Sequence, residues 1–252
     1  MLDCICVENM RLSDALTIER YVPSLELMHR AAVGVFRAIR WQGRTAIVAG
    51  SGNNGGDGFA LACILTSHGI ECAVFTLSQR LSRDSAHYAR QAEALGVPVR
   101  PFAAGCLSGF DIVVDCMLGT GFQGTLRDSC RAAIEEVNAA GAYVVSVDIN
   151  SGMNGDTGEG ETAVRSDLTV TIGYFKNGLL TPNAGAHMKR LVCADIGIRL
   201  AREENKICGE DEWQTFCASH GIPEDRTKAE LEGTVYYKRP AWLDPAVIDA
   251  GA

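Results

Sequence analysis

Residues 45–65, TAIVAGSGNNGGDGFALACIL, decide the fold of this chain. Residues 46–49 are apolar and partly β-branched, which predicts a strand, and residues 59–65 continue with a helical pattern. Glycines between them let the backbone approach a ligand closely, and free N–H groups at a helix start favour an anion. The order of strand, turn and helix therefore predicts a phosphate-binding βα unit. Its glycines are Gly50, Gly52, Gly55, Gly56 and Gly58.

Three polar residues in this loop, Asn53, Asn54 and Asp57, set it apart from two common phosphate-binding motifs. A dinucleotide fingerprint reads G-x-G-x-x-G and needs no carboxylate here, and a P-loop ends in Gly-Lys-Ser or Gly-Lys-Thr, which this segment lacks. Two carboxamides and an acid indicate that the loop also orients polar groups or binds a cation. A glycine-rich βα turn with polar decoration is the simpler alternative for the loop alone, because isolated motifs of this kind are weakly specific.

Composition narrows the class of protein. The 252 residues, 47% of them hydrophobic, suffice for one α/β domain with additions or, less readily, for two small domains. A net charge of -8 argues against nucleic acid or an anionic membrane as the main partner, since both require a basic surface. No apolar run reaches the roughly 18 residues of a membrane span, and the N-terminus lacks the pattern of a secretion signal. We expect a cytoplasmic protein with reduced cysteines.

Apolar periodicity predicts alternating strands and helices over the first 150 residues, followed by strand after strand. This alternation predicts a doubly wound, mostly parallel sheet with helices on both faces. From residue 201 the character changes, so we predict a main domain at 1–200 and a C-terminal appendage at 201–252. The predicted strands are 46–49, 71–77, 110–116, 142–149, 167–172 and 190–196, with a possible edge strand at 98–102. The predicted helices are two within 11–40, divided by Pro23 and capped at Ser13 and Ser24, then 59–69, 82–95, 129–140 and a short one at 211–219.

Two further strand ends carry acids. Asp115 lies at the end of strand 110–116 and precedes a second glycine-rich loop, MLGTGFQGTLRD, at 117–128. Asp148 lies at the end of strand 142–149 and precedes Asn150 and Ser151. Open α/β sheets bind ligands at the carboxyl ends of their strands, so we expect Asp57, Asp115 and Asp148 to converge on one pocket. For each of these acids taken alone, the alternative to a role in ligand binding is a structural role as a helix cap or turn residue.

Several segments together resemble the NAD(P)H-hydrate epimerase family, the YjeF N-terminal domain, over about residues 10–198. The resemblance implies a Rossmann-like three-layer α/β/α sandwich, a homodimer, and interconversion of the R and S forms of hydrated NADH or NADPH in nucleotide repair. A separate dehydratase then repairs the S form. The segments are GSGNNGGDGFALA at 50–62, DCMLGTGFQG at 115–124, VDINSGMNGDTGE at 147–159, AVRSDLTVTIGYFKNGLL at 163–180 and VCADIGI at 192–198.

The same resemblance implies a site, residue by residue. Asp148 would contact the hydrated nicotinamide and is our candidate general acid or base, because inverting a carbon that bears a hydroxyl beside a ring nitrogen needs a proton taken and returned. Lys176 matches a lysine of the family's substrate-side loop, and a surface lysine is the alternative. A potassium ion would be held by Asn54, Asp115 and Ser151, whose oxygen atoms suit a hard cation. The nucleotide would be lined by Asn53, Asn54, Gly55, Gly56 and Asp57, and its phosphates held by Gly119, Thr120, Gly121, Phe122, Gln123, Gly124 and Thr125.

The chain departs from the family at three places. Asn150 stands where the family commonly has proline, which predicts a looser turn. Residues 28–32 read MHRAA in place of Met-Glu-Asn-Ala-Gly, so a contact from the acid and the amide is lost. The tail beyond residue 198 lies outside the likeness, and about 50 residues leave no room for a fused dehydratase domain, so we expect a stand-alone epimerase.

Two alternatives to the epimerase differ from it in class. Relatives of this fold serve in RNA-decay assemblies and lipoprotein binding, so a non-catalytic nucleotide-binding or scaffold module is the second hypothesis. Retention of Asp57, Asp115 and Asp148 favours the enzyme. An ordinary NAD-dependent dehydrogenase is disfavoured, because no acid at a second strand end is placed to bind the ribose hydroxyls.

Overall fold

A computed structural model describes residues 1–122 and 124–251 of the chain. The strands are β1 (Leu2–Ile5), β2 (Thr45–Ala49), β3 (Cys72–Thr76), β4 (Val99–Pro101), β5 (Ile112–Cys116), β6 (Tyr143–Val147), β7 (Leu168–Ile172), β8 (Phe175–Lys176), β9 (Leu191–Asp195), β10 (Asn205–Cys208), β11 (Lys228–Leu231), β12 (Thr234–Lys238) and β13 (Leu243–Asp249). The helices are α1 (Val7–Arg20), α2 (Ser24–Ala38), α3 (Asn53–Ser67), α4 (Arg83–Ala94), α5 (Asp128–Ala139), α6 (Pro182–Gly185) and α7 (Glu210–His220).

The larger sheet has eight strands in the order β13-β9-β7-β6-β5-β2-β3-β4. All of its strand pairings are parallel, which confirms the predicted α/β class and the mostly parallel sheet. From β2 the chain runs outward through β3 to β4, then returns to form β5 on the other side of β2. The order therefore reverses between β2 and β5, and open α/β sheets bind their ligands at such a reversal.

Helices cover the larger sheet on both faces, as the alternating pattern predicts. Neighbouring residues of a strand point to opposite faces, so Ile47 packs with α2, α3 and α4 while Val48 packs with α5. All five residues of β2 and all five of β5 are buried, because both faces of these central strands lie against helices. The two glycine-rich loops, which follow β2 and β5, therefore start from a rigid support.

A second sheet, with the order β11-β12-β10-β1-β8, joins the two ends of the chain. Its strand β1 pairs with β10 and with β8, and the sequence analysis did not predict β1. The C-terminal residues from 205 onward supply β10, β11 and β12 to this sheet and β13 to the edge of the larger one. Helix α7, close to its predicted position, buries Trp213 completely against Cys208 and Cys217.

The predicted helix caps are wrong. Helix α1 begins at Val7, immediately after β1, and its cap is Cys6, whose Sγ accepts a hydrogen bond from the N–H of Asn9. Ser13 therefore lies inside the helix, fully buried, and its Oγ accepts a hydrogen bond from the backbone of Ala201 at 2.9 Å. Helix α2 starts after Pro23, with Ser24 as its first helical residue and without a side-chain cap.

Two observations bear on the cellular setting. All ten cysteines are free thiols, and eight of them are buried. Within residues 1–122 and 124–251, no helix has the length and apolar character needed to cross a bilayer.

Candidate active site

A cavity of about 670 Å³ opens where the strand order reverses. Its walls come from the loops after β2 and β5, from the end of β6, and from α1 and α2, which pack over this edge of the sheet. The volume falls within the range of roughly 300–1,000 Å³ that small-molecule sites occupy. The topology thus brings three separate strand ends to one pocket.

Most of the residues that the sequence analysis assigned to the nucleotide lie in the wall of this cavity. Gly55 and Gly56 do not, because both are buried where the loop packs on the backbone of Gly50 and on Met28. Gly124 is exposed outside the wall, and Gln123 lies outside the described residues. The predicted residues that line the cavity are Asn53, Asn54, Asp57, Gly119, Thr120, Gly121, Phe122, Thr125 and Asp148.

Asp148 has an unusual backbone conformation at the end of β6. Its φ is +70°, a left-handed value that non-glycine residues seldom adopt and that is concentrated at functional sites. Its Oδ2 accepts a hydrogen bond of 3.0 Å from the N–H of Thr120, in the loop after β5. Its Oδ1 lies 2.6 Å from Nζ of Lys176. The carboxylate is therefore fixed from two directions at the pocket wall.

Lys176 is fully buried, so the surface-lysine alternative is wrong. Besides Asp148, its Nζ donates to Oγ1 of Thr171 at 3.0 Å and to the carbonyl of Ile172 at 2.6 Å. An ammonium group has three hydrogens to donate, and here each of them has an acceptor. Burial without unsatisfied donors explains how a charged lysine is accommodated at this depth.

Two more carboxyl groups face the same cavity. Asp57 lies near the start of α3, and burial raises the pKa of its carboxyl well above the ordinary value, with a further rise from the charge of Asp148. Asp14 lies on α1, and burial followed by the charge of Asp148 also raises the pKa of Asp14. The positive charge of Lys176 acts in the opposite direction on both groups.

Sequence reasoning missed Asp14 and Arg11. The guanidinium of Arg11 donates to the carbonyl of Thr120 at 3.0 Å and so connects α1 to the loop after β5. In the sequence both residues look like the exposed charges of an amphipathic helix, because their role depends on where α1 packs. No local signal distinguishes them.

Asp115, the third predicted acid, lies behind the cavity rather than in its wall. It is fully buried, and its carboxyl accepts hydrogen bonds from the backbone and Oγ of Ser151, from Oγ of Ser146 and from the N–H of Met117. Burial raises the pKa of Asp115, and these hydrogen bonds oppose the rise. Ser151 also bonds to the backbone of Leu118, which lines the cavity.

The predicted loosening of the turn at Asn150 is wrong. Asn150 is fully buried, and its Nδ2 donates to the carbonyls of Val164 and His187 and to Oγ of Ser166. Its Oδ1 accepts from Oγ1 of Thr169 at 2.6 Å. The amide therefore ties the turn after Asp148 to β7 and its flanking segments, where a proline would restrict the backbone alone.

The altered segment at 28–32 contributes to the cavity through Met28. The thioether of Met28 occupies the space beside Gly56, where an added Cβ would approach within 2.6 Å, and Met28 also lines the cavity. His29 is exposed. Arg30 pairs with Glu26 at 3.0 Å on the helix surface.

Comparison of this sequence with known proteins finds a matching family and named relatives. The family model described as "YjeF-related protein N-terminus" matches residues 24–178. The chain is 38% identical over 199 residues to the NAD(P)H-hydrate epimerase of Limosilactobacillus fermentum, covering 76% of this chain and 95% of that protein. It is 36% identical over 204 residues to the NAD(P)H-hydrate epimerase of Rhodopirellula baltica, covering 77% and 84%.

Two further matches concern length and fold. The chain is 36% identical over 197 residues to the bifunctional NAD(P)H-hydrate repair enzyme Nnr of Coxiella burnetii, and the match covers 75% of this chain and 40% of that longer protein. The crystal structure of yeast ynu0, YNL200c, superposes with a TM-score of 0.66 at 18% identity, covering 94% of this chain and all of that one. This superposition supports the α/β fold described above. Because these matches cover most of the chain at 36–38% sequence identity, the chain belongs to the family of proteins related to the YjeF N-terminus.

Proposed function

We propose that this protein is an NAD(P)H-hydrate epimerase, an isomerase that interconverts the R and S forms of hydrated NADH or NADPH. The observation that carries the proposal is the ion-paired Asp148, held at a left-handed φ in the wall of a nucleotide-sized cavity. Two relatives that are matched over 95% and 84% of their own length are named for this activity. The non-catalytic scaffold is not favoured, because Asp57 and Asp148, which the resemblance assigns to the site, both face the cavity.

The phosphates of the nucleotide fit between two helix starts. Helices α3 and α5 both begin at the cavity, after Gly52 and Arg127, and neither has a side chain capping its first turn. Uncapped N–H groups and the positive end of the helix dipole favour an anion. Ser129 in the first turn of α5 lines the cavity, as do Asn53 and Asn54 of α3.

Asp148 takes the role of general base in this proposal. The ammonium group of its neighbour Lys176 lies 2.6 Å from the carboxylate and supplies the opposite charge. Both carboxylate oxygens are positioned by donors, so the group keeps one orientation toward the cavity. Such fixed geometry is what proton transfer to or from a bound substrate requires.

A potassium ion fits the side of the cavity where Asn54 and Leu118 meet. Oδ1 of Asn54 is buried and has no hydrogen-bond partner among the described residues, whereas Nδ2 donates to the carbonyl of Leu118 at 2.9 Å. Ser151 Oγ contacts the same carbonyl at 3.3 Å and the carboxylate of Asp115 at 2.5 Å. We propose that Asn54, Asp115 and Ser151 hold the cation, which would supply positive charge beside the bound phosphates.

Thermal unfolding in KCl compared with LiCl tests the cation. We expect the wild type to melt at a higher temperature in KCl, and we expect Ser151→Ala to lose most of that difference. Ser108→Ala, on an exposed turn away from the cavity, is the matched control and should keep it. Equal melting temperatures of the wild type in the two salts would contradict the potassium site.

We also propose that the protein forms a homodimer and works in the cytoplasm. Helix α1 supports the first point, since its buried face is polar at Asn9, Ser13 and Thr17, while Leu12 and Tyr21 expose 47% and 59% of their surface. Free thiols support the second point. Light scattering coupled to gel filtration measures the mass, and Leu12→Glu should lower it to that of a single chain if α1 lies in the interface.

The epimerase is tested by mixing purified protein with the R form of hydrated NADH and following the S form by chromatography. We expect Asp148→Asn to reduce the rate constant kcat by 100-fold or more, within the range that general acid or base catalysis contributes. Asparagine tolerates a left-handed φ, so the turn should persist, which circular dichroism checks. No conversion by the wild type above the spontaneous rate would reject the proposed function.

A further inference from the structure

Asp57 and Asp148 face one cavity from unlike surroundings. Asp148 is paired with Lys176 and accepts a backbone hydrogen bond from Thr120. The Asp57 carboxyl has neither an ion pair nor a hydrogen bond with any residue in 1–122 or 124–251. The Asp148 carboxyl therefore has a positively charged partner, and the Asp57 carboxyl has none among the described residues.

Two different elements bring these acids to the cavity. Asp57 lies in the second turn of α3, Asp148 directly follows β6, and both line the cavity. The negative charge of Asp148 acts on Asp57, so the two carboxyls lie within electrostatic range of each other.

We propose that Asp57 is a second catalytic residue, the general acid that works together with the Asp148 base in this cavity. This inference rests on the proposed epimerase function and adds to it. A single carboxyl that takes and returns one proton would need to reach both faces of the ring. Two carboxyls that reach the cavity from different elements, α3 and the end of β6, remove that requirement.

The step conserves atoms and charge. The Asp57 carboxyl gives its proton to the hydroxyl on the carbon beside the ring nitrogen, the C–O bond breaks, and the nitrogen lone pair forms a C=N bond as water leaves. A second water adds to the other face of that carbon, the electron pair returns to nitrogen, and Asp148 accepts the proton of the incoming water. The reverse reaction starts from ionised Asp57 and protonated Asp148. Proton exchange with solvent resets the two groups.

The charges around Asp57 agree with the acid role. Burial and the negative charge of Asp148 raise the pKa of Asp57, so it holds a proton under conditions where an exposed carboxyl has lost it. Pairs of carboxyls whose environments separate their proton affinities divide acid and base roles in this way. The ionisable groups that act on Asp57 or respond to it are Asp14 on α1, Tyr88 on α4, Cys116 on β5, Asp148 after β6 and Lys176 on β8.

The rate of R to S conversion, measured as a function of pH, tests the assignment. In the wild type, kcat should fall at high pH as Asp57 loses its proton. Asp57→Asn should lower kcat by 100-fold or more, change KM by less than about threefold, and abolish the decline at high pH. Asp57→Glu, which keeps the carboxyl, should retain that decline.

Two matched variants complete the experiment. Asp225→Asn, an exposed carboxylate of the C-terminal segment, should leave the profile unchanged. Asp14→Asn removes the other carboxyl of the cavity and should lower kcat by less than tenfold with the high-pH decline intact. If Asp14→Asn abolishes that decline and Asp57→Asn does not, the acid is Asp14 and the proposal is overturned.

Labelling with ¹⁸O tests whether the C–O bond of the substrate breaks during the reaction. Conversion in water enriched in ¹⁸O should place one labelled oxygen on the inverted carbon of the S product at early times. Product that retains its original oxygen would overturn the step. Wild-type protein that converts the substrate while Asp57→Asn matches it in rate and pH profile would overturn only the role of Asp57. Wild-type protein without activity would reject the epimerase itself.

Discussion

Nζ of Lys176 lies 2.6 Å from Oδ1 of Asp148, and the lysine side chain is fully buried while the aspartate side chain is 12% exposed. Lys176 belongs to β8, which pairs with β1 at Ile5. Strand β1 in turn pairs with β10 from the C-terminal segment. The second sheet, which joins both ends of the chain, therefore positions the ammonium group of Lys176 against Asp148.

Lys176→Met should destabilise the fold strongly. The substitution leaves a mostly buried carboxylate without its partner, and breaking one side of a buried ion pair costs about 3–5 kcal/mol. We expect the free energy of unfolding in urea at neutral pH to fall by about 3 kcal/mol, because partial exposure of Asp148 moderates the loss.

Two further variants separate the charge from the packing. Lys176→Met combined with Asp148→Asn removes both charges and should be more stable than Lys176→Met alone. Lys189→Met breaks an exposed pair with Asp167 and should have little effect, since exposed pairs contribute little. A Lys176→Met protein as stable as the wild type would show that the buried pair does not stabilise the fold.

Gly119→Ala should disturb the contact between the loop after β5 and Asp148. An added Cβ would lie 2.8 Å from Oδ2 of Asp148 and 3.4 Å from Asn54, so the carboxyl or the loop must shift. Misplacing a reacting group by about 1 Å can lower the rate by about 100-fold, so we expect kcat/KM for R to S conversion to fall by about that factor. Gly121→Ala is the control, because no atom lies within 4 Å of its added Cβ. Equal losses in both variants would disprove the steric explanation.

Asn150→Ala should destabilise the protein through its buried hydrogen bonds. Removal of the amide leaves Oγ1 of Thr169 and the carbonyls of Val164 and His187 without that partner in a closed environment. A buried polar group left unsatisfied costs about 1–3 kcal/mol, so we expect a loss of roughly 2–4 kcal/mol in urea unfolding. Asn183→Ala, on the exposed start of α6, should change stability little. A small effect at Asn150 would indicate that water replaces the amide.

Stability should depend on pH through Asp57. Its pKa is raised in the folded protein above the ordinary value of 3.8, so the folded state binds more protons than the unfolded state above that pH. The free energy of unfolding therefore falls as pH rises from about 4 through the raised pKa. Asp57→Asn should flatten this slope and stabilise the protein at neutral pH, which urea unfolding from pH 4 to pH 8 measures at constant KCl. A slope that is unchanged in Asp57→Asn would assign it to other groups, such as Asp14, whose pKa is also raised.

The order of elements could be predicted from local pattern. Strand β2 occupies the residues that its composition indicated, because burial on both faces selects a continuous apolar run. Helix α3 begins at Asn53, earlier than predicted, so residues 53–58 of the glycine-rich segment form its first turns and not a loop. Strands β3, β5, β6, β7 and β9 lie within a few residues of their predicted bounds. Strand β1 was missed, since four residues that alternate weakly give no clear signal, and it is stabilised by partners more than 170 residues away.

The sequence by itself determined that this chain is an α/β protein with glycine-rich segments at one edge of its sheet, and that Asp57 and Asp148 belong to that edge, because strand periodicity and glycine spacing are local properties. Only the tertiary structure decided that Lys176 is buried against Asp148, that Asp14 and Arg11 of α1 face the cavity, and that Asp115 lies behind its wall. These relationships arise where segments distant in sequence pack together. Burial, pairing and pKa depend on those neighbours, and a residue's own sequence context does not contain them.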